Sequence, residues 1–195
     1  MTGLVRLAGA IALCLLAACG RNEPEVARPI GNEIPPSNTL NICAIFAEKP
    51  HWRRDMEVAS AKWGTPVEVM MGIMWRESRF RQHASPGTSS AYGYSQAING
   101  TWAWYQDATG NHAGDRTRFS DAADFIGWYM NETLKQNGLS FYDSYAQYLA
   151  YHEGHNGFRR GTYWEKDFLL RAAGEVRTMV EVYRTQLNAC PSRMV

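Results

Sequence analysis

The sequence has no excess of charge of either sign: 20 Lys and Arg stand against 19 Asp and Glu in 195 residues, a formal net charge of +1 at pH 7. Binding a phosphate backbone needs clustered cations, so nucleic acid is excluded as the main partner. Long hydrophobic runs are missing too. The one sustained apolar stretch, Leu7 to Leu16, is half of the ~20 residues that a membrane-spanning helix needs. There are no blocks of like charge and no low-complexity tracts, which excludes a disordered chain, and no internal repeats, which excludes a solenoid. Period-two alternation of apolar and polar residues is nowhere sustained, which removes a sheet-based fold. What the chain has instead is aromatic side chains, 7 Trp, 10 Tyr and 7 Phe. Core packing is their default use, and stacking on a flat ligand is the alternative.

Residues 1–18, MTGLVRLAGAIALCLLAA, carry one basic residue, Arg6, no acid, and a short apolar stretch ending in small residues. That is the pattern of a secretory signal peptide. Leu16-Ala17-Ala18-Cys19 also resembles the lipobox of bacterial lipoproteins, which implies cleavage before Cys19, lipidation of that residue, and anchoring to a membrane that the chain does not span. Gly20 after the Cys, in place of Asp, favours the outer membrane in lipoproteins of this kind. Cys14 leaves with the signal, so Cys43 and Cys190 remain. In an oxidising compartment these two are expected to bridge, the other reading being two buried thiols. From Gly20 to Asn38 four prolines and several polar residues without apolar periodicity read as a tether. The expected organisation is therefore a signal peptide at 1–18, a lipidated Cys and flexible linker at 19–39, and one globular domain at 40–191.

Helix signals dominate that domain. Thr65-Pro66-Val67-Glu68 reads as a capping box with proline in the first helical position, after a helix from about Trp52 to Trp63 closed by Gly64. Val67, Met70, Met71, Met74 and Trp75 then repeat with helical period. Ser120 is a candidate cap for a helix ending before Gly138. Ser140 with Asp143 opens another, with Tyr145, Tyr148, Leu149 and His152 on one face and a stop at Gly154. A last helical stretch runs from about Tyr163 to Leu187 with a break expected near Gly174. The fold class is all-α.

One acid stands out against this pattern. At 100° per residue from Val67, Met70 falls at about 300°, Met74 at about 340° and Glu77 at about 280°, so Glu77 lies at the margin of the apolar stripe, while Arg76 lies about 100° away from it. A carboxyl held against Met and Trp with no cation on its face has a raised pKa, the condition for a general acid near neutral pH. The plainer reading is a solvated acid in the last turn of an amphipathic helix.

The company of Glu77 decides between them. Glu77-Ser78-Arg79-Phe80 is followed by Ala84-Ser85-Pro86-Gly87, by Ala91-Tyr92-Gly93-Tyr94-Ser95-Gln96, and later by Ala150-Tyr151-His152-Glu153-Gly154. This series resembles the lytic transglycosylases of the SLT type, relatives of goose-type lysozymes, with their Glu-Ser-x-Phe, Gly-Leu-Met-Gln and Ala-Tyr-Asn-x-Gly motifs in the same order. The resemblance covers roughly Trp52 to Gly161 and implies a lysozyme-like fold acting on the glycan strands of peptidoglycan. Carried over, it makes Glu77 the catalytic acid/base, Ser78 a polar neighbour, Gln96 a sugar ligand, and the Tyr151 hydroxyl the group that orients Glu77. Tyr94 and Ser95 stand where Leu-Met is usual and His152 where Asn is usual, so substrate contacts at these positions differ in polarity from the family pattern. The implied chemistry cleaves between N-acetylmuramic acid and N-acetylglucosamine and closes a 1,6-anhydro ring, with one acid and no second carboxylate. An inverting hydrolase would need a second carboxylate about 6.5–9.5 Å away; Asp107, Asp115 and Asp121 are the nearest downstream acids.

Other features have plainer readings. His152-Glu153-Gly154-His155 lacks the four-residue histidine spacing of a zinc helix, and neither a metal nor a cofactor is expected. Tyr92, Tyr94, Trp102, Trp104 and Tyr105 are candidates for sugar stacking, with one of the two tryptophans expected inside and the other nearer solvent. Arg159-Arg160 reads as a solvated pair or a contact for peptide carboxylates. Goose-type hydrolysis and a non-catalytic peptidoglycan-binding module are the rival functions.

Overall fold

A computed structural model describes residues 31–190. The signal region, Cys19 and the first part of the tether lie outside the described residues, as do 191–195. Among the described residues seven helices follow one another: α1 (Ile42–Glu48), α2 (Pro50–Trp63), α3 (Val67–Ser78), α4 (Asn99–Thr109), α5 (Phe119–Asn137), α6 (Ser144–Arg160) and α7 (Asp167–Ala189). Extended structure among the described residues is limited to one isolated bridge between Tyr92 and Ala97. The all-α expectation holds.

Helix α3 is the axis of the domain. Val69, Met70, Met71, Ile73 and Met74 are fully buried, so the helix is covered on more sides than the single stripe read from its period. It packs against α7, while α2 packs against α5 and α6 against both α5 and α7. Gly72 makes the α3–α7 contact possible, because a Cβ there would lie 2.6 Å from Cγ2 of Val180. A second part of the core is aromatic: Trp52 stacks on Phe119 with centroids 4.0 Å apart and planes at 6°, and Phe80 and Tyr94 pack around it. Cys43 and Cys190 are joined in a disulfide, Cα to Cα 5.7 Å, tying α1 to the end of α7.

Several helix ends differ from the sequence reading. Pro66 itself is the N-cap of α3; Thr65, fully buried between α3 and α5, donates its hydroxyl to Gly127 O at 3.0 Å, and Glu68 pairs with Arg184 at 3.1 Å instead of closing a capping box. Helix α5 begins at Phe119, so Ser120 lies in its first turn and Arg118 is the cap. Gly154 does leave the helical conformation (φ 72°, ψ 158°), as the stop expected there requires, and a second helical stretch of α6 resumes directly beyond it, where His155 is buried and stacks on Tyr129 at 4.6 Å. The last helix starts only at Asp167, after turns that stack Tyr163 on Phe158, and it passes Gly174 unbroken because Leu169, Ala172, Ala173 and Val176 are anchored on either side.

The end of the region read as linker is docked on the domain. Glu33 accepts from Trp52 Nε1 at 2.8 Å and pairs with His51 Nε2 at 3.0 Å, and its backbone N–H donates to Gln82 Oε1 at 2.8 Å. Gln82 in turn donates to Gly31 O (2.7 Å) and Thr117 O (3.1 Å). Ser37 donates twice to Glu48, and the Tyr183 hydroxyl donates to Thr39 O. These contacts make residues 31–39 a strap along the domain.

Candidate active site

Glu77 occupies the last turn of α3, and the chain leaves that turn abruptly. Arg79 and Phe80 both have positive φ, 52° and 59°. Non-glycine residues pay for that conformation, and here Phe80 meets the cost by anchoring its fully buried ring against Trp52 at 5.8 Å. Arg79 lays its guanidinium over the Trp75 ring at 3.4 Å. Ser78 is buried and donates its hydroxyl back to Met74 O at 3.2 Å, so its side chain is part of the helix end and does not face a substrate. In the Glu-Ser-Arg-Phe run, three residues therefore hold the turn, and Glu77 projects from it.

Burial pushes the Glu77 carboxyl up to about 7 from an ordinary value of 4.5. Two groups act in the other direction: the Tyr148 hydroxyl, which hydrogen-bonds the carboxyl, and the positive charge of Arg76. Desolvation outweighs both, and Arg76 is itself paired with Glu175 at 3.4 Å. Neither of the groups acting on Glu77 is a carboxylate.

The tyrosine that holds the acid is not the one the motif indicated. Tyr151 donates its hydroxyl to Ser95 O at 2.6 Å, whereas Tyr148, three residues earlier on α6 and one of the positions assigned to its buried face, bonds Glu77. Tyr151 still lies in the field of Glu77: burial first, and then the Glu77 charge, hold its hydroxyl far above the usual tyrosine range. Its bond to Ser95 O joins α6 to the 91–97 loop and so ties together the second and third motifs.

That loop is internally fixed. Gly93 has φ 75°, and a Cβ there would lie 2.1 Å from Arg116 O, so only glycine fits. Gln96, also at positive φ (52°), donates from Nε2 to Ala84 O and Gly93 O, both at 2.8 Å, so its amide nitrogen holds the loop closed. Arg116 clamps the loop from outside through Ser90 O (2.8 Å), Ala97 O (2.7 Å) and Asn99 Oδ1 (3.0 Å). Tyr94 is in the core, 1% exposed and edge-on to Trp52 and Phe119, and Ser95 is fully buried. The side chains of Ser78, Tyr94 and Ser95, expected at the substrate, thus lie behind the surface that Glu77 and Gln96 reach. Tyr148 and Arg116 were missed by sequence reasoning. The first was visible only as one position of an apolar helix face, and the second carried no local signal.

His152 is exposed, with Nδ1 3.2 Å from Glu153 Oε1, while His155 is buried and bonded to Thr133 Oγ1 at 3.0 Å. The two imidazoles serve different surroundings. Among the described residues no group of three or more His, Cys, Asp or Glu could hold a metal ion. Asp115 caps its own turn through Thr117 N and Oγ1, and Asp121 accepts from Asp115 N and pairs with Arg118. Trp102 is inside and Trp104 is 38% exposed, as the helix geometry requires. No described helix is long and apolar enough to cross a membrane.

An all-helical, lysozyme-like domain built around one acid at the end of a buried helix is the class that fold and site define. The match to a known family is of the same kind and covers nearly the whole chain: over residues 7–190 the sequence fits the transglycosylase SLT domain, and the chain belongs to that family. No curated protein matches it. Membership assigns the chain in general to lytic transglycosylase activity on peptidoglycan, a periplasmic substrate.

Proposed function

We propose that the chain cleaves the β-1,4 bond between N-acetylmuramic acid and N-acetylglucosamine, with Glu77 as both acid and base and a 1,6-anhydromuramic end as product. The observation that carries this is the Glu77 carboxyl at the end of α3, hydrogen-bonded by Tyr148 and raised by burial to about 7. Near neutral pH such a group is divided between its two forms, as a residue that gives a proton and then takes one must be. In the first step Glu77 protonates the glycosidic oxygen, the C1–O bond breaks, and the substrate's own N-acetyl oxygen supports the charge at C1. In the second, the Glu77 carboxylate takes the proton from the C6 hydroxyl of the same muramic acid, O6 bonds to C1, and the acid is regenerated. No water is consumed. Gln96 supports the sugar through its carbonyl oxygen, its nitrogen being engaged in the loop, and His152 borders the cleft. Peptidoglycan glycan strands are the partner. Cys19 carries the lipid that anchors the chain at the periplasmic face of the outer membrane, and no cofactor enters the reaction.

The test is mass spectrometry of muropeptides released from purified sacculi by residues 20–195, beside a Glu77→Gln control. Products one water lighter than those of hydrolysis, and absent from the control, are expected. Reducing ends would establish a goose-type muramidase instead. Binding without release would establish a wall-binding module.

A further inference from the structure

Among the exposed aromatic residues, Phe168 lies on a line that leads to the acid. It is 55% exposed in the first turn of α7, while its neighbours Leu169, Ala172 and Ala173 supply the buried face of that helix. It therefore has no part in the core. Among the described residues its ring contact is with His152, centroids 5.8 Å apart and planes at 68°, so the two rings make a corner open to solvent.

Two independent routes connect this corner to Glu77. On α6, His152 is four residues beyond Tyr148, the tyrosine bonded to Glu77, and so one turn further along the same face. On α7, Phe168 precedes by seven residues Glu175, the partner of Arg76 beside Glu77, and so lies on the same face about 10 Å away. The corner is also built rigidly. Glu153, whose side chain is 3% exposed, fixes the His152 ring and is itself held by Lys166 at 2.7 and 2.9 Å and by the Thr162 hydroxyl.

We propose that His152 and Phe168 form a subsite for an N-acetylated hexosamine of the glycan strand, one to two helical turns from the sugar on which Glu77 acts. The inference rests on the glycan-cleaving reading above. The apolar C–H face of a pyranose lies on one ring while the other ring stands against its edge or its acetyl methyl, the geometry that a 68° corner offers. A ring at that distance engages long strands and leaves the shortest ones untouched.

The experiment is calorimetric binding of peptide-free glycan strands of two, four and eight sugars to the full domain carrying Glu77→Gln, with and without Phe168→Ala. Loss of about tenfold in affinity for the eight-sugar strand, little change for the two-sugar strand, and recovery in Phe168→Trp are expected. Because Phe168 is exposed, its truncation leaves the melting temperature unchanged, which separates a lost subsite from a damaged fold. Equal affinities with Phe and Ala at every length would overturn the subsite alone. Absence of binding at any length in the Glu77→Gln protein would overturn the glycan-cleaving reading with it.

Discussion

At the scale of the residue, Glu77 is held in a state that costs the fold stability. Its carboxyl binds a proton in the native protein up to about pH 7, while in the unfolded chain it loses that proton near 4.5. Between these values the unfolded state binds fewer protons, so stability falls as pH rises through this window and is level above it, by about 3 kcal/mol for a shift of this size. Glu77→Gln is thus expected to be more stable than the parent at pH 8 and equal to it at pH 4, in thermal melts at the two pH values, while being inactive. Tyr148 works against the shift, since its hydroxyl stabilises the carboxylate. Tyr148→Phe should move the alkaline limb of kcat/KM upward from about 7 and lower kcat about tenfold, read from a pH–rate profile. The position of Glu77 was legible because helical period and motif agreed on it. The partner was not: Tyr148 and Tyr151 are both tyrosines on one helix, and only the rotation of α6 against α3 decides which of them faces the acid and which faces Ser95 O.

Among the elements, the 91–97 loop determines most about the site while carrying little helix or strand character of its own. Its shape depends on Gly93 more than on any contact side chain. Gly93→Ala would press a methyl to 2.1 Å from Arg116 O at a φ of 75°, and a loss of about 2–4 kcal/mol is expected, measured by denaturant unfolding. Arg116→Ala removes three hydrogen bonds and should lower activity more than stability, since they end at Ser90 and Ala97, on either side of the loop's turn, and at Asn99, the start of α4. The helices themselves were largely readable, because long periodic segments such as α3, α5 and α7 carry their burial in the spacing of Met, Leu, Val and aromatic residues. The seven-residue α1 has too few turns to show a period. At Thr65 a partner distant in sequence overrides the local end signal, and at Gly174 the buried residues on either side of the glycine carry the helix through it.

Over the whole molecule, the chain is closed on itself. The Cys43–Cys190 bridge links positions 147 residues apart, and in the loop-entropy treatment its loss costs about 5 kcal/mol. The Cys43→Ser, Cys190→Ser variant is expected to unfold at correspondingly lower denaturant, and the parent should do the same after reduction. The strap adds a constraint that composition concealed. Its prolines and polar residues read as tether, yet Glu33 meets the Trp52 indole and His51 there, and Gln82 grips the backbone at Gly31 and Glu33. This docking bears on how far a lipid anchor at Cys19 would let the domain stand from a bilayer. With Cys19 lipidated as proposed, the domain is attached at Gly31 and not at Leu40, and twelve residues span no more than about 40 Å in any conformation. An anchor at Cys19 would thus hold the domain's point of attachment within that radius of the bilayer, and the strap, by moving that point from Leu40 to Gly31, shortens the reach of the active site by the length of nine residues.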